Sequence, residues 1–267
     1  RKVSTRPSLP AVLCKAQSSN VSDVIELRTG AKLPKLGLGL WKAPEHETEE
    51  VVREAIELGW RHLDCACDYG NEIQVGRGIK AALEGGACTR DDLWVTSKLW
   101  NTYHAREHVK LACEKSLKDL GLDYLDLYLV HFPIALKYVP IEERYPPEWA
   151  YDPSKGVSEF QSTPIRETWE GMEELLKEGL VKNIGVCNFS ASLLMDLMTY
   201  ARIPPAVNQV ELHPYNTQEK LLQYCTSQHI HCTGFSPLGS GSYISLNMDK
   251  GDVMGALTHP VIVNIAK

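Results

Sequence analysis

The sequence lacks the features of a membrane-spanning or nucleic-acid-binding protein. No run of 18 or more apolar residues occurs among its 267 residues, so no segment is long enough to span a bilayer as a helix. It also lacks an excess of positive charge, because 28 Lys and Arg stand against 34 Asp and Glu. Binding to nucleic-acid phosphates needs clustered cations. With 43% apolar and 23% charged residues, the composition is that of an ordinary globular protein.

Closely spaced cysteine pairs are nearly absent as well. Of the 8 cysteines, only Cys65 and Cys67 lie two positions apart, and no second pair is present to complete a zinc site. Several of the others fall in apolar segments, where a free cysteine behaves as a small hydrophobic side chain. We therefore expect a reducing compartment and no metal.

Residues 1–22 lack acidic side chains entirely, and the first acidic residue is Asp23. This segment is basic and rich in serine, a composition typical of an organelle transit segment or of a disordered tail. We predict a tail over residues 1–22 and one domain over residues 23–267. The predicted location is the cytoplasm, or a plastid or other organelle if the tail is the remnant of a transit peptide.

From Val24 onward, short apolar runs alternate with longer segments of helical period. The predicted strands are Pro34–Trp41, Arg61–Ala66, Leu93–Leu99, Leu125–Phe132, Asn183–Phe189, Ala206–Leu212 and His231–Pro237. The predicted helices are Thr48–Leu58, Ala105–Leu120, Ile165–Glu178, Ser190–Ala201 and Thr217–His229. Thr48 is predicted to cap the first helix, with Glu49 and Glu50 in its first turn.

Strands joined by helical crossovers indicate an α/β protein with a parallel sheet. A doubly wound nucleotide-binding sheet would show G-x-G-x-x-G after its first strand, and the spacing of Gly37 and Gly39 does not fit. We therefore predict a (β/α)8 TIM barrel. Seven strands are counted and the sequence ends inside a further predicted helix, so the eighth strand and the final helices are expected to be missing.

Three adjacent strands place reactive side chains at their carboxyl ends, where barrel enzymes carry their active sites. Asp64 and Tyr69 follow the second predicted strand, Lys98 the third and His131 the fourth. An ammonium near a phenol stabilises the phenolate and is expected to lower the phenol's pKa. This set therefore predicts a proton donor for a carbonyl oxygen. The long loop Ile134–Pro164 follows His131 and is predicted to be a functional lid.

Several motifs resemble those of the aldo-keto reductases, closest to the xylose- and aldose-reductase-like members. They are Gly59–Gly76, Thr96–Asn101, His131–Pro133, Met172–Phe189 and Gly234–Ser240, and the similarity runs from about Val24 to the last residue. The resemblance implies a barrel that reduces aldehydes and ketones with NADPH. It also implies that Tyr69 donates the proton, that Lys98 and Asp64 are its partners and that His131 orients the carbonyl.

The same resemblance implies a cofactor site. Phe235 matches the ring on which the nicotinamide stacks, and Asn188 and Gln209 match residues that bond the carboxamide. Gln209 lies within an apolar strand, where a buried amide needs partners, which favours a ligand role. Cys187 stands where serine is usual. The remaining residues implied to contact the cofactor are Ser236, Leu238, Ser240 and Asp64.

The substrate pocket is implied to contain His131, Trp41, Trp100 and Phe132. Aromatic walls of this kind suit sugar C–H faces and apolar aldehydes equally. We expect a small carbonyl substrate, a sugar above all, and a monomer or homodimer with no nucleic-acid or membrane partner. NADH remains open beside NADPH, because the family's 2′-phosphate motif is not in the sequence. Two alternatives stay open: a sugar-phosphate reductase acting on mannose or glucose 6-phosphate, and an inactive truncated or non-catalytic NADP-binding barrel.

Overall fold

The computed structural model describes residues 23–239 and 255–267. The predicted tail, residues 1–22, and the predicted cofactor residue Ser240 lie outside these ranges. Within them, no helix combines the length and the apolar character needed to cross a bilayer.

Seven parallel strands form one sheet whose spatial order follows the chain. They are β3 (Leu38–Gly39), β4 (His62–Asp64), β5 (Trp94–Leu99), β6 (Leu127–Val130), β7 (Ile184–Cys187), β8 (Val207–Glu211) and β9 (His231–Phe235). Helices follow most strands as crossovers, with β3 and β9 as the two sheet edges. This arrangement confirms the predicted α/β barrel, with seven of its eight strands in the described residues.

The helices are α1 (Glu45–Glu57), α2 (Glu72–Glu84), α3 (Arg106–Leu120), α4 (Ile165–Lys177), α5 (Ala191–Tyr200), α6 (Glu219–Ser227) and α7 (Pro260–Ala266). Strand β5 is buried at all of its positions, as expected when a barrel strand is covered on both faces. Three of its side chains, Thr96, Ser97 and Lys98, are nevertheless polar, so each needs a partner inside the protein.

A short hairpin precedes the barrel, and the sequence analysis missed it. Strands β1 (Val24–Glu26) and β2 (Lys32–Pro34) pair in antiparallel fashion. Leu33 is buried in one cluster with Trp94 and Val207, which lie where β5 and β8 begin. The hairpin thus covers the end of the barrel opposite to the strands' carboxyl ends. The predicted strand Pro34–Trp41 is therefore divided between the hairpin and β3.

The predicted cap at Thr48 is wrong. Helix α1 begins at Glu45, its cap residue is Pro44, and the acidic residues of its first turn are Glu45 and Glu47. Thr48 is buried in the second turn, and its hydroxyl donates to the carbonyl oxygen of Pro44 at 2.8 Å. A threonine inside a helix can bond the carbonyl one turn earlier in this way, so the residue type alone did not locate the cap.

Helix α2 was absent from the predicted helices because it contains two glycines, which are poor helix formers. Both are required by packing. A Cβ atom at Gly76 would lie 2.5 Å from the carbonyl oxygen of Leu120 in α3, and one at Gly78 would lie 2.5 Å from that of Glu49 in α1. The glycines therefore let α2 pack closely between its two neighbours, directly after the turn that carries Tyr69.

Glu72 begins α2 and is buried, and among the residues that the structure describes no cation is bonded to it. Its carboxylate accepts hydrogen bonds from the hydroxyls of Ser97 on β5, at 2.6 Å, and Ser116 on α3, at 2.9 Å. The nearby ammonium of Lys115 instead pairs with Asp119. Burial raises the pKa of Glu72 to about 7.

Replacing Glu72 by glutamine should flatten the pH dependence of stability. Because its folded-state pKa is raised, the wild-type chain loses stability as the pH rises from about 4.5 to about 7, whereas a neutral amide does not titrate. The free energy of unfolding in urea at pH 5 and at pH 8 measures this. The fall between the two pH values should be smaller in Glu72→Gln by roughly 2 kcal/mol. Glu84→Gln, at the exposed end of α2, is the matched control and should keep the wild-type fall. An equal fall in Glu72→Gln and wild type would contradict the prediction.

Candidate active site

The ammonium of Lys98 is the centre of a buried polar group at the carboxyl ends of β4 and β5. Its Nζ donates to Asp64 Oδ1 at 2.5 Å, to the Cys65 carbonyl oxygen at 2.9 Å and to Tyr69 Oη at 3.0 Å. These contacts account for all three protons of a lysine ammonium. Parallel pairing of β4 with β5 puts Asp64 beside Thr96, which lies two residues before Lys98 on the same face of β5.

The carboxylate of Asp64 completes this group. Its second oxygen accepts a hydrogen bond of 2.6 Å from Gln209 Nε2 on β8, across the barrel. Burial opposes the charge on Asp64, but the adjacent Lys98 ammonium, together with smaller contributions from His62 and Gln209, holds the pKa of the carboxyl below its ordinary value. Burial also opposes the charge on Lys98, and Asp64 in turn raises the pKa of that ammonium. The two groups therefore keep each other charged inside the protein.

Tyr69 is carried by a short 3₁₀ turn, Cys67–Tyr69, that follows β4. Gly70 ends this turn in the left-handed conformation, with φ of 73°. The side chain of Asn71 then donates to the carbonyl oxygen of Leu40 at 2.9 Å, which ties the turn to the end of β3. The phenol hydroxyl is thereby held beside Lys98.

The pKa expected for Tyr69 was wrong in its net direction. Burial raises the pKa of the phenol above its ordinary value, and the Lys98 ammonium offsets only part of this rise. The neighbouring cation can be recognised from the sequence, whereas the degree of burial cannot. The consequence is a phenol that keeps its proton at neutral pH, next to a cation that stabilises the phenolate formed when the proton leaves.

His131 lies directly after β6 and faces Tyr69, with 6.1 Å between the two ring centroids. Burial lowers the pKa of its imidazole, and the carboxylate of Asp68 opposes that effect. Asp68 Oδ1 lies 3.2 Å from His131 Nδ1. The sequence analysis missed Asp68, although its place directly before Tyr69 could have indicated it. The structure thus brings together four of the predicted site residues: Asp64, Tyr69, Lys98 and His131.

An aromatic cluster borders His131. The Trp100 ring lies 5.4 Å from His131 and 6.1 Å from Phe132, measured between centroids. Trp149 from the long loop lies 4.9 Å from Trp100 and was not among the predicted residues. Trp41 stays apart: it is 44% exposed and, in the part of the chain that the structure describes, makes no ring contact with this cluster. Of the predicted aromatic residues, Trp100 and Phe132 share this cluster with Trp149, and the substrate role of Trp41 stays a prediction.

The predicted cofactor residues lie on the neighbouring strands. Asn188 follows β7, and its Nδ2 donates to the His131 carbonyl oxygen at 2.9 Å and to Cys187 Sγ at 3.2 Å. The Cys187 thiol lies 3.8 Å from Gln209 Oε1, which is a weak contact for that amide oxygen. Cys187 thus lies between the two amides and takes one of the two N–H donors of Asn188.

Phe235 ends β9 and lies at the edge of a cavity of about 550 Å³. Asp64, Gln209 and Ser236 also line this cavity. Ser236 and Gly239 both have positive φ, 49° and 64°, so the chain turns sharply after β9 and leaves Leu238 exposed. The half-buried Phe235 ring and the Gln209 amide thus line one cavity, and this pair fits an aromatic ring that carries a carboxamide.

Among residues 23–239 and 255–267, no cluster of His, Cys, Asp and Glu could hold a metal ion. The seven cysteines in these ranges are free thiols.

Comparison with known proteins agrees with this geometry. The model of the aldo/keto reductase family matches residues 35–264. The 4-dihydromethyl-trisporate dehydrogenase of Mucor mucedo is 45% identical over 239 residues, covering 90% of this chain and 74% of that protein. The NADPH-dependent aldose reductase of Saccharomyces cerevisiae is 47% identical over 231 residues, covering 85% and 71%.

Among solved structures, the Bombyx mori aldo-keto reductase in complex with NADP superimposes with a TM-score of 0.78 at 37% identity, covering 92% of this chain and 75% of that one. The chain therefore belongs to the aldo/keto reductase family, a family of oxidoreductases.

Removing the charge of Asp68 should lower the pKa of His131. The carboxylate is the group that counteracts burial at the imidazole, so Asp68→Asn leaves burial unopposed and the protonated form less stable. A proton NMR titration of the His131 ring should give a lower midpoint in Asp68→Asn than in the wild type. Asp91→Asn, a remote surface change, should leave the midpoint in place. An unchanged or higher midpoint in Asp68→Asn would show that the Asp68 charge does not act on His131.

Proposed function

We propose that the chain reduces aldehyde or aldose carbonyls with NADPH and that Tyr69 is the proton donor. The observation that carries this proposal is the buried Lys98 ammonium, 3.0 Å from Tyr69 Oη and held charged by Asp64. Such an arrangement stabilises the anion that remains after the phenol gives up its proton.

The residues of the site have different roles in the reduction of the carbonyl. His131 and Tyr69 lie side by side, so a carbonyl oxygen between them accepts hydrogen bonds from both side chains. When bound, the reduced nicotinamide supplies the hydride that is added to the carbonyl carbon. Tyr69 then transfers its hydroxyl proton to the oxygen as negative charge develops there, and Lys98 stabilises the resulting phenolate. Burial of the group excludes water and strengthens these interactions.

The cofactor is proposed to bind along β7, β8 and β9. Phe235 offers its ring face to the nicotinamide, and Asn188 and Gln209 offer amide groups to the carboxamide. Ser236 and Leu238 lie in the turn that follows, where backbone N–H groups and a hydroxyl suit the pyrophosphate. The aldose reductase from yeast is NADPH-dependent and the Bombyx mori structure contains NADP, which supports NADP(H) as a cofactor here.

A hydroxylated carbonyl compound fits the pocket best. Phe132 and Trp149 provide an apolar wall with the buried Trp100 ring packed against both, while the Asp68 carboxylate beside His131 can accept a hydrogen bond from a substrate hydroxyl. A sugar such as D-xylose has both an aldehyde and hydroxyls. The alternative, a sugar phosphate, is distinguished by comparing glucose 6-phosphate with D-xylose as substrates under one set of conditions.

Tyr69→Phe should abolish carbonyl reduction while leaving the cofactor affinity nearly unchanged. Loss of a general acid lowers turnover by at least ~10²-fold. The assay follows NADPH oxidation with D-xylose, glucose 6-phosphate and benzaldehyde, and quenching of tryptophan fluorescence reports NADPH binding. Tyr224→Phe, on helix α6, is the control and should retain wild-type turnover. Turnover of Tyr69→Phe within a few-fold of the wild type would rule out Tyr69 as the donor.

A further inference from the structure

The long loop between β6 and α4 carries Trp149 to the aromatic cluster. The described structure has no helix and no strand of the sheets between Val130 and Ile165. The indole of Trp149 packs edge-on against Trp100 at 4.9 Å and against Phe132 at 5.1 Å, centroid to centroid. The position of Trp149 therefore depends on what holds an irregular stretch of backbone in place.

The guanidinium group of Arg144 donates hydrogen bonds to several backbone carbonyls of residues 147–151. Its Nη2 donates to the carbonyl oxygens of Pro147 at 2.8 Å, Ala150 at 2.8 Å and Tyr151 at 3.1 Å. Its Nε donates to Pro147 as well, at 3.1 Å. The three carbonyls that one side chain binds lie on both sides of Trp149.

Few other bonds stabilise the same backbone. In the described ranges, the only other hydrogen bond to the backbone of residues 146–151 runs from the Trp100 indole to the Glu148 carbonyl oxygen, at 3.0 Å. Glu148 also has φ of 60°, in the left-handed region that non-glycine residues seldom adopt. Strained residues persist only where the surrounding contacts fix them, and here Arg144 supplies most of those contacts.

We propose that Arg144 is a positioning residue that holds Trp149 against Trp100 and Phe132 and thereby sets the affinity for carbonyl substrates with bulky apolar groups. This inference rests on the proposed function, in which the carbonyl lies between Tyr69 and His131 beside that wall. The guanidinium suits the task because a planar fork with several N–H groups can bind several carbonyls at once, whereas a lysine ammonium is a single point of charge. Small substrates that do not reach Trp149 are bound independently of Arg144.

The direct test of positioning is limited digestion of the intact chain with chymotrypsin, which cleaves after aromatic residues such as Trp149 and Tyr151, read by mass spectrometry. Arg144→Gln should increase the rate of cleavage after these two residues, and Arg144→Lys should give an intermediate increase. Arg53→Gln is the matched control, because Arg53 forms exposed ion pairs on α1. Cleavage of Arg144→Gln at the wild-type rate would overturn the positioning role. This readout needs no activity, so it decides the role of Arg144 even if the chain proves inactive.

The consequence for substrates is tested by a double-mutant cycle of Arg144→Gln with Trp149→Ala, assayed with benzaldehyde and with glyceraldehyde. Arg144→Gln should raise KM for benzaldehyde about fivefold to tenfold, the scale of a lost aromatic contact, and change kcat less than about twofold. KM for glyceraldehyde should stay within about twofold. In the Trp149→Ala background, Arg144→Gln should add no further effect, because both act through one indole.

Additive effects of the two substitutions, or an equal rise in KM for both aldehydes, would overturn the inference. Failure of the wild-type chain to reduce either aldehyde would instead contradict the proposed function.

Discussion

A lysine ammonium lies inside the wall of the barrel, and much of the site follows from the need to keep it charged. An isolated charge in the protein interior is strongly unfavourable, so Lys98 is stable there only with all its protons bonded and a carboxylate beside it. Asp64 provides this carboxylate from the adjacent strand, and Tyr69 Oη accepts a hydrogen bond from the ammonium. The same bonds that make burial tolerable place the phenol next to a cation.

The supporting structure fixes the turn that carries Tyr69. Asn71 ties the end of this turn to the carbonyl of Leu40, and Glu72 bonds hydroxyls on β5 and α3. The glycines Gly76 and Gly78 let helix α2 approach its neighbours closely enough for these bonds to form. Small changes in α2 packing would therefore move Tyr69 relative to Lys98, which explains why poor helix formers occupy this helix.

The fold class and the four central side chains could be predicted from the sequence, because the carboxyl ends of parallel strands converge in any barrel. Asp64, Tyr69, Lys98 and His131 needed only correct strand positions. Features that depend on irregular backbone could not be predicted. Trp149 reaches the site only because Arg144 and Trp100 shape its loop.

The degree of burial of a side chain also could not be predicted from the sequence. The neighbouring cation indicated a lowered pKa for Tyr69, yet the loss of contact with water outweighs it. The hairpin strands β1 and β2 have three residues each and are too short for a periodic pattern to reveal them. In both cases the deciding quantity is a property of the packed structure.

The most direct test of the account is the rate of carbonyl reduction after the buried charge pair is removed as a unit. The double variant Lys98→Met/Asp64→Asn removes both charges of the pair, so neither is left unpaired, and it should fold with a cooperative thermal transition like that of the wild type. With saturating NADPH and D-xylose or benzaldehyde, its turnover should fall by at least ~10²-fold, because the Tyr69 phenolate has lost its cation. A folded double variant that reduces either aldehyde at a rate within a few-fold of the wild type would contradict the account.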